Sequence, residues 1–140
     1  MKYILALAAF AASALAQGIS IASPASGSSV YPGQYITVEI DKPNFIDAEV
    51  DVAIVLSMAP CPSNGCSAGA LGDILYKGPF NPQPEQGKPE PHENFSVETP
   101  TWFTPGNQVA LIATYFDLVG AGPDPNIVQQ FMPLNVVQGP

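Results

Sequence analysis

YITVEI, at positions 35–40, alternates branched apolar side chains with Tyr, Thr and Glu, and this pattern decides the fold class. In an extended chain Ile36, Val38 and Ile40 point to one side and the residues between them point to the other. A two-residue period is typical of a β-strand with one buried and one solvated face. Similar segments recur along the chain, whereas proline or glycine interrupts almost every window that could hold three turns of helix. The sequence therefore predicts an all-β protein.

Seven such segments are expected to form the strands of an immunoglobulin-like or fibronectin-III-like antiparallel sandwich. They cover residues 18–22, 35–40, 50–58, 73–77, 93–98, 108–116 and 127–137. The expected core face of the third strand is Val50, Val52, Ile54 and Leu56. Turns or loops are expected at 26–29, 41–49 and 117–125.

The segment near residues 78–92 is expected to be a Pro-rich surface loop. Five of residues 78–91 are proline, which has no N–H to continue a β-ladder. An extended, polyproline-like course over the surface fits that composition. The loop is interpreted either as an unconstrained insertion or as an extended ligand for another protein.

Residues 1–16 have the pattern of a cleavable secretory signal peptide. Lys2 precedes an apolar run from Ile4 to Ala14, and the segment ends in Ala14-Leu15-Ala16. The run is shorter than the roughly 20 residues that a membrane span requires. We therefore expect a secreted protein without membrane insertion, in which residues 17–140 form a single β-sandwich domain.

The charge balance excludes two classes of partner. The chain has twelve Asp and Glu residues and four basic residues, all of them lysine, so its net charge is −8. Nucleic acid and anionic lipid are bound by clusters of Lys and Arg that neutralise phosphate. We expect neither to be a partner of this chain.

The two cysteines, Cys61 and Cys66, are expected to form a disulfide. The cysteines of exported proteins meet an oxidising environment, and exactly two cysteines in such a chain are expected to form one disulfide. The Pro-Ser-Asn-Gly sequence between them favours a turn that brings their ends together. The bridge should therefore make one local loop rigid.

The residues available for catalysis are few. The one histidine, His92, lies beside carboxylates at the end of the Pro-rich loop and is expected to be solvated. Acidic pairs such as Glu39 and Asp41 occupy alternating positions typical of a solvated face, and the acidic run at 47–51 lacks the ordered ligands of a calcium loop. We expect a protein that is not an enzyme and that uses no cofactor or metal.

Signals for modification and binding are somewhat stronger. Asn94-Phe95-Ser96 is an acceptor for N-glycosylation at Asn94, provided that Asn94 faces solvent. Four loop aromatics could anchor a partner protein or stack on a sugar, and they could equally close the open ends of the sandwich. They are Tyr31, Phe80, Trp102 and Phe103.

Four segments carry a resemblance to a known family. They lie at residues 51–54, 74–80, 94–97 and 115–123, the last reading YFDLVGAGP. Together they resemble the necrosis-inducing secreted protein family of fungal effectors. The resemblance implies a secreted protein that binds receptor-associated kinases of a plant host, suppresses pattern-triggered immunity and in some cases provokes cell death. An intracellular kinase target further implies uptake into host cells.

A second, shorter resemblance covers the first two expected strands. The segment IASPASG at 21–27, followed by Tyr-Pro-Gly at 31–33, is similar to the start of fungal cell-wall proteins related to β-glucan assembly. It implies an alternative function as a wall-associated structural or glycan-binding module, with a cell-wall glycan as partner.

Overall fold

The computed structural model describes residues 18–44 and 48–140, and this part of the chain is all-β. The predicted signal peptide at 1–16 lies outside the described residues. The described residues form eight strands, namely β1 (Ser20–Ser23), β2 (Ser29–Val30), β3 (Tyr35–Asp41), β4 (Glu49–Pro60), β5 (Asp73–Gly78), β6 (His92–Glu98), β7 (Gln108–Val119) and β8 (Asp124–Val136).

The strands form two sheets with the orders β1-β3-β6 and β2-β8-β7-β4-β5. Every pairing is antiparallel except the short parallel contact of β2 with β8. This arrangement confirms the predicted all-β sandwich. The more specific immunoglobulin-like or fibronectin-III-like form stays a prediction.

The core lies between the inner faces of the two sheets. Val38 and Ile40 of β3 are fully buried there, and Ile36 packs against the same cluster, as the alternation of residues 35–40 predicts. The opposite sheet contributes fully buried side chains, namely Ile54, Leu56, Met58, Leu111, Tyr115 and Leu134. Burying one such side chain contributes about 1.5–3 kcal/mol, so this cluster is the main source of stability.

The predicted core face of β4 is wrong in its first half. Ile54 and Leu56 are buried, but Val50 and Val52 are 58% and 48% exposed. The register between β4 and β7 shifts between Asp51 and Ala53, where β4 contains one more residue than β7. Because side chains alternate from residue to residue, one extra residue turns the preceding part of the strand over.

Two turns predicted from the sequence also differ from the structure. The last residue of the turn predicted at 26–29, Ser29, is the first residue of β2. Main-chain hydrogen bonds join this two-residue strand to β8, and so short a strand shows no alternating pattern in the sequence. The loop predicted at 117–125 is a tight hairpin between Val119 and Asp124. Gly120 has a φ of 88° in this turn, a conformation that residues with a side chain rarely adopt.

The chain between β4 and β5 returns to the outer face of the five-stranded sheet. Ala110 and Ile112 of β7 are buried although they lie outside the core cluster. Ala68 and Ala70 line a small cavity of about 220 Å³ together with Ala110. At the end of this segment Gly72 lies so close to β4 that an added Cβ would be 2.3 Å from the Met58 carbonyl oxygen. The segment is therefore packed against the sheet.

Candidate functional site

The four predicted loop aromatics separate into two groups. Phe80 and Phe103 are only 3% and 4% exposed, so these two close the sandwich and their rings are not presented to a partner. Phe80 lies 5.5 Å from the Tyr115 ring, edge to face, and 6.4 Å from the Phe95 ring. Both residues belong to segments that the sequence predicts as loop or turn, and their rings are nevertheless buried because removing a large apolar area from water is favourable.

The other two aromatics remain nearer to solvent. Tyr31 is partly buried, its backbone N–H donates to the Gln34 Oε1 atom at 2.9 Å, and its ring faces Gly139. Trp102 is 57% exposed, and its ring lies 4.6 Å from the Phe103 ring, edge to face. Trp102 is therefore the predicted contact residue that the structure presents most openly.

Trp102 forms one wall of a groove of about 550 Å³, which we call the Trp102 groove. Its lining is Gly72, Asp73, Ile74, Leu75, Glu98, Thr99, Pro100, Thr101 and Trp102. The groove joins β5 and the end of β6, which are edge strands of the two different sheets. The two sheets therefore leave an open side here that is lined by one exposed aromatic residue and by two acidic residues.

Hydrogen bonding fixes the orientation of the indole. Its Nε1–H donates to Asp73 Oδ2 at 2.5 Å, which joins the turn after β6 to the first residue of β5. The Thr99 backbone is also occupied, because its N–H donates to Gln34 O and its carbonyl accepts from Gly33 N–H. The Thr99 hydroxyl is buried and has no hydrogen-bond partner among the described residues.

The carboxylates of the Trp102 groove carry no counter-charge from the described residues. The ion pairs in that part of the chain join Lys42 to Glu49 and Lys88 to Glu39, and His92 contacts Glu85. Asp73 and Glu98 take part in none of them. The sequence contained no signal that these two acids line one groove, because they are far apart in the chain and belong to edge strands of different sheets.

A second polar cluster lies where the bulge in β4 turns acidic side chains inward. Tyr115 donates its hydroxyl to Asp51, Lys42 pairs with Glu49, and buried Asp117 accepts from the Asn126 side chain at 3.0 Å. Burial is the main cause that raises the pKa of both Glu49 and Tyr115. Most of these groups are paired with one another, so the cluster acts as an internal polar layer.

No group of three or more His, Cys, Asp or Glu side chains is placed to hold a metal ion within residues 18–44 and 48–140. In the same part of the chain no helix is long and apolar enough to cross a membrane.

The Pro-rich loop is held to the sandwich at several points, unlike an unconstrained insertion. Gln83 and His92 exchange backbone hydrogen bonds of 2.9 and 3.1 Å, and Lys88 contacts Glu39 at 2.7 Å. The expectation of a solvated His92 is wrong: the residue begins β6, is buried, and its Nε2 lies 2.9 Å from Glu85. Lys88 lowers the pKa of Glu39 through their hydrogen bond.

The structure confirms the Cys61–Cys66 disulfide, with the two Cα atoms 4.6 Å apart. Asn94 is exposed on β6 while Phe95 is buried, which is the arrangement that glycosylation of Asn94 requires. Occupancy of that acceptor stays a prediction.

Comparison with known proteins assigns the chain to a family. The Nis1 family model matches residues 12–133, which is most of the sequence. A search of curated proteins found no match. The similarity of residues 21–33 to cell-wall proteins gains no support from these comparisons. The chain therefore belongs to the Nis1 family of necrosis-inducing secreted proteins, and it is an effector-like secreted fungal protein.

Proposed function

We propose that this protein binds immune receptor-associated kinases of a plant host, suppresses pattern-triggered immunity and can induce cell death. The observation that carries the proposal is membership of the Nis1 family over residues 12–133. Contact with a kinase domain inside the host cell requires uptake of the secreted protein, and that uptake is part of the proposal.

The protein acts in this proposal as a binding surface and not as an enzyme. It needs no cofactor or metal for that role. Several described polar side chains are paired with one another inside the sandwich, as Lys42 is with Glu49 and Tyr115 is with Asp51. A rigid sandwich with exposed loops suits recognition of another protein, because little conformational entropy is lost on binding.

The test is expression in plant leaves of the full chain and of a form that lacks residues 1–16. The readouts are the oxidative burst triggered by a flagellin peptide, cell death, and kinases recovered with the tagged protein. We expect a smaller burst and recovery of a receptor-associated kinase. An unchanged burst in leaves that accumulate both forms, together with no recovered kinase, would overturn the proposal.

One control separates location from folding. The form without residues 1–16 stays in the reducing cytosol, where Cys61 and Cys66 remain thiols. A variant with both cysteines replaced by serine, exported with the signal peptide, shows whether loss of the disulfide alone changes the burst. Activity of the cytosolic form then places the target inside the cell.

A further inference from the structure

We propose that the Trp102 groove is the partner-binding site and that it receives a cationic side chain, arginine above all, from the partner protein. This inference rests on the proposed function insofar as the partner is a protein. It adds the site and the chemistry that the partner must offer.

The charge of the groove selects a cation. Asp73 and Glu98 line it, and neither is within ion-pair distance of a described basic residue. The whole chain has a net charge of −8, so a positive ligand is also attracted at long range. An uncharged ligand would cover these carboxylates without compensating their charge, which costs free energy.

The indole gives the groove a preference for a cation that is flat. A guanidinium stacks on an aromatic face and is attracted by its π-electrons, most strongly for Trp. The hydrogen bond from Nε1–H to Asp73 holds the Trp102 ring in place and occupies Oδ2, so Asp73 Oδ1 is left to accept from the ligand. Glu98 also lines the groove and makes no side-chain ion pair in the described part of the chain.

The apolar part of the lining suits the stem of the same side chain. Ile74 is exposed, and Leu75 and Pro100 lie beside it in the groove. Arginine buries its methylene groups on apolar surface while its head group remains with polar partners. The groove volume of about 550 Å³ exceeds one side chain, which leaves room for flanking residues of the partner along the open edge of β5.

The test uses the fluorescence of Trp102, since the chain contains a single tryptophan. The probes are acetylated, amidated pentapeptides Ala-Ala-X-Ala-Ala in which X is arginine, lysine, citrulline or norleucine, together with chitohexaose and laminarihexaose. We expect a saturable fluorescence change with the arginine peptide, a weaker one with lysine, and none with citrulline or norleucine. The Trp102 indole N–H signal in a two-dimensional NMR spectrum should shift in the same titrations.

The variant Glu98→Gln keeps the shape of the side chain and removes its charge. We expect about tenfold weaker binding of the arginine peptide, because the variant loses one close charge pair with the ligand. Asp124→Asn is the matched control, because Asp124 is exposed and pairs with Val119 at the end of the sheet opposite to Asp73. Thermal unfolding of both variants verifies that each remains folded.

Two results of the titrations would overturn the inference. One is an equal response to arginine and citrulline, which would show that charge is not recognised. The other is a response to an oligosaccharide with none to the arginine peptide, which would make the groove a glycan site. If Trp102→Ala and Glu98→Gln proteins still suppress the burst and recover a kinase, the proposed function holds and the assignment of the groove fails.

Discussion

The loop at 61–72 and the Pro-rich loop at 79–91 are of similar length, but they are held to the sandwich in different ways. The first is closed by the Cys61–Cys66 disulfide and packs small side chains on the outer face of the five-stranded sheet. The second places Phe80 in the core and holds its far part through the ion pair of Lys88 with Glu39 and the contact of Glu85 with His92. The comparison shows that apolar, covalent and ionic anchors differ in strength, and each can be removed separately.

Phe80→Ala should have the largest effect, because it removes the apolar anchor of the Pro-rich loop. Loss of a fully buried phenylalanine costs about 3–5 kcal/mol of unfolding free energy, since a cavity remains where the ring was. Denaturation in urea measures the change. Trp102→Ala is the control among the loop aromatics, and its effect should be much smaller because its ring is largely exposed. Similar losses for the two variants would contradict the placement of Phe80 in the core.

Replacing Cys61 and Cys66 together by serine should cost about 2 kcal/mol of unfolding free energy, because the bridge closes a short loop in the unfolded chain. The effect should be independent of salt, unlike any effect on the ionic contacts of the other loop. Urea denaturation of the oxidised protein and of the double variant, each at low and high salt, measures it. A double variant as stable as the oxidised protein would show that packing alone holds this loop.

The pH should affect the Pro-rich side of the molecule and leave the disulfide loop unchanged. Burial, followed by the charge of Glu39, raises the pKa of Asp41, and burial also raises that of Glu49. A carboxyl with a raised pKa in the folded state binds protons more tightly there, so it makes the protein more stable as the pH falls. The melting temperature should therefore rise as the pH is lowered from about 7 towards the ordinary pKa values of 3.8 and 4.5.

Asp41→Asn should reduce this dependence, because the buried carboxyl no longer ionises. Asp124→Asn, at an exposed position on the hairpin, is the control and should keep the slope of the original protein. Thermal unfolding followed by circular dichroism between about pH 4 and 7 measures both slopes. A melting temperature that falls steadily with decreasing pH in this range would contradict the prediction. Below it, protonation of Glu39, whose pKa is lowered by Lys88, removes stability again.

Much of the sandwich could be predicted because alternating side chains record which face of a strand is buried. Residues 35–40 and Phe95 in β6 follow that rule. The rule failed at Val50 and Val52 because a bulge adds one residue to β4 and so exchanges the buried and exposed faces of the strand before it. The sequence carries no strong signal for such a bulge. Phe80 was ambiguous for a related reason: five prolines around it indicate a surface course but do not indicate where its ring points.

The Trp102 groove could be predicted only in part. Trp102 was recognisable as a loop aromatic, and the structure leaves it exposed. Asp73, which accepts a hydrogen bond from Trp102, and Glu98 belong to edge strands of different sheets, so their presence in one groove depends on how the sheets pack. Local periodicity describes one strand at a time, so it carries no information about this type of contact.

Lys88→Ala should have the smallest effect, because it removes an ion pair at the surface of the protein. The Lys88 contact to both oxygens of Glu39 orders the far part of the Pro-rich loop, but water and salt screen such a pair. We expect no measurable change in urea denaturation and faster hydrogen exchange of amides in residues 84–90. Lys77→Ala is the matched control, since Lys77 forms no ion pair in the described part of the chain.

Salt gives the same experiment a second test. If the ion pair orders the loop, high salt should speed hydrogen exchange in residues 84–90 of the original protein and should change little in Lys88→Ala. Exchange in residues 61–72 should be unaffected in both proteins, because that loop depends on the disulfide and on apolar contacts. Exchange that is slow at 84–90 in every protein and at every salt concentration would show that Phe80 and the Gln83–His92 backbone pairing suffice to hold the whole loop.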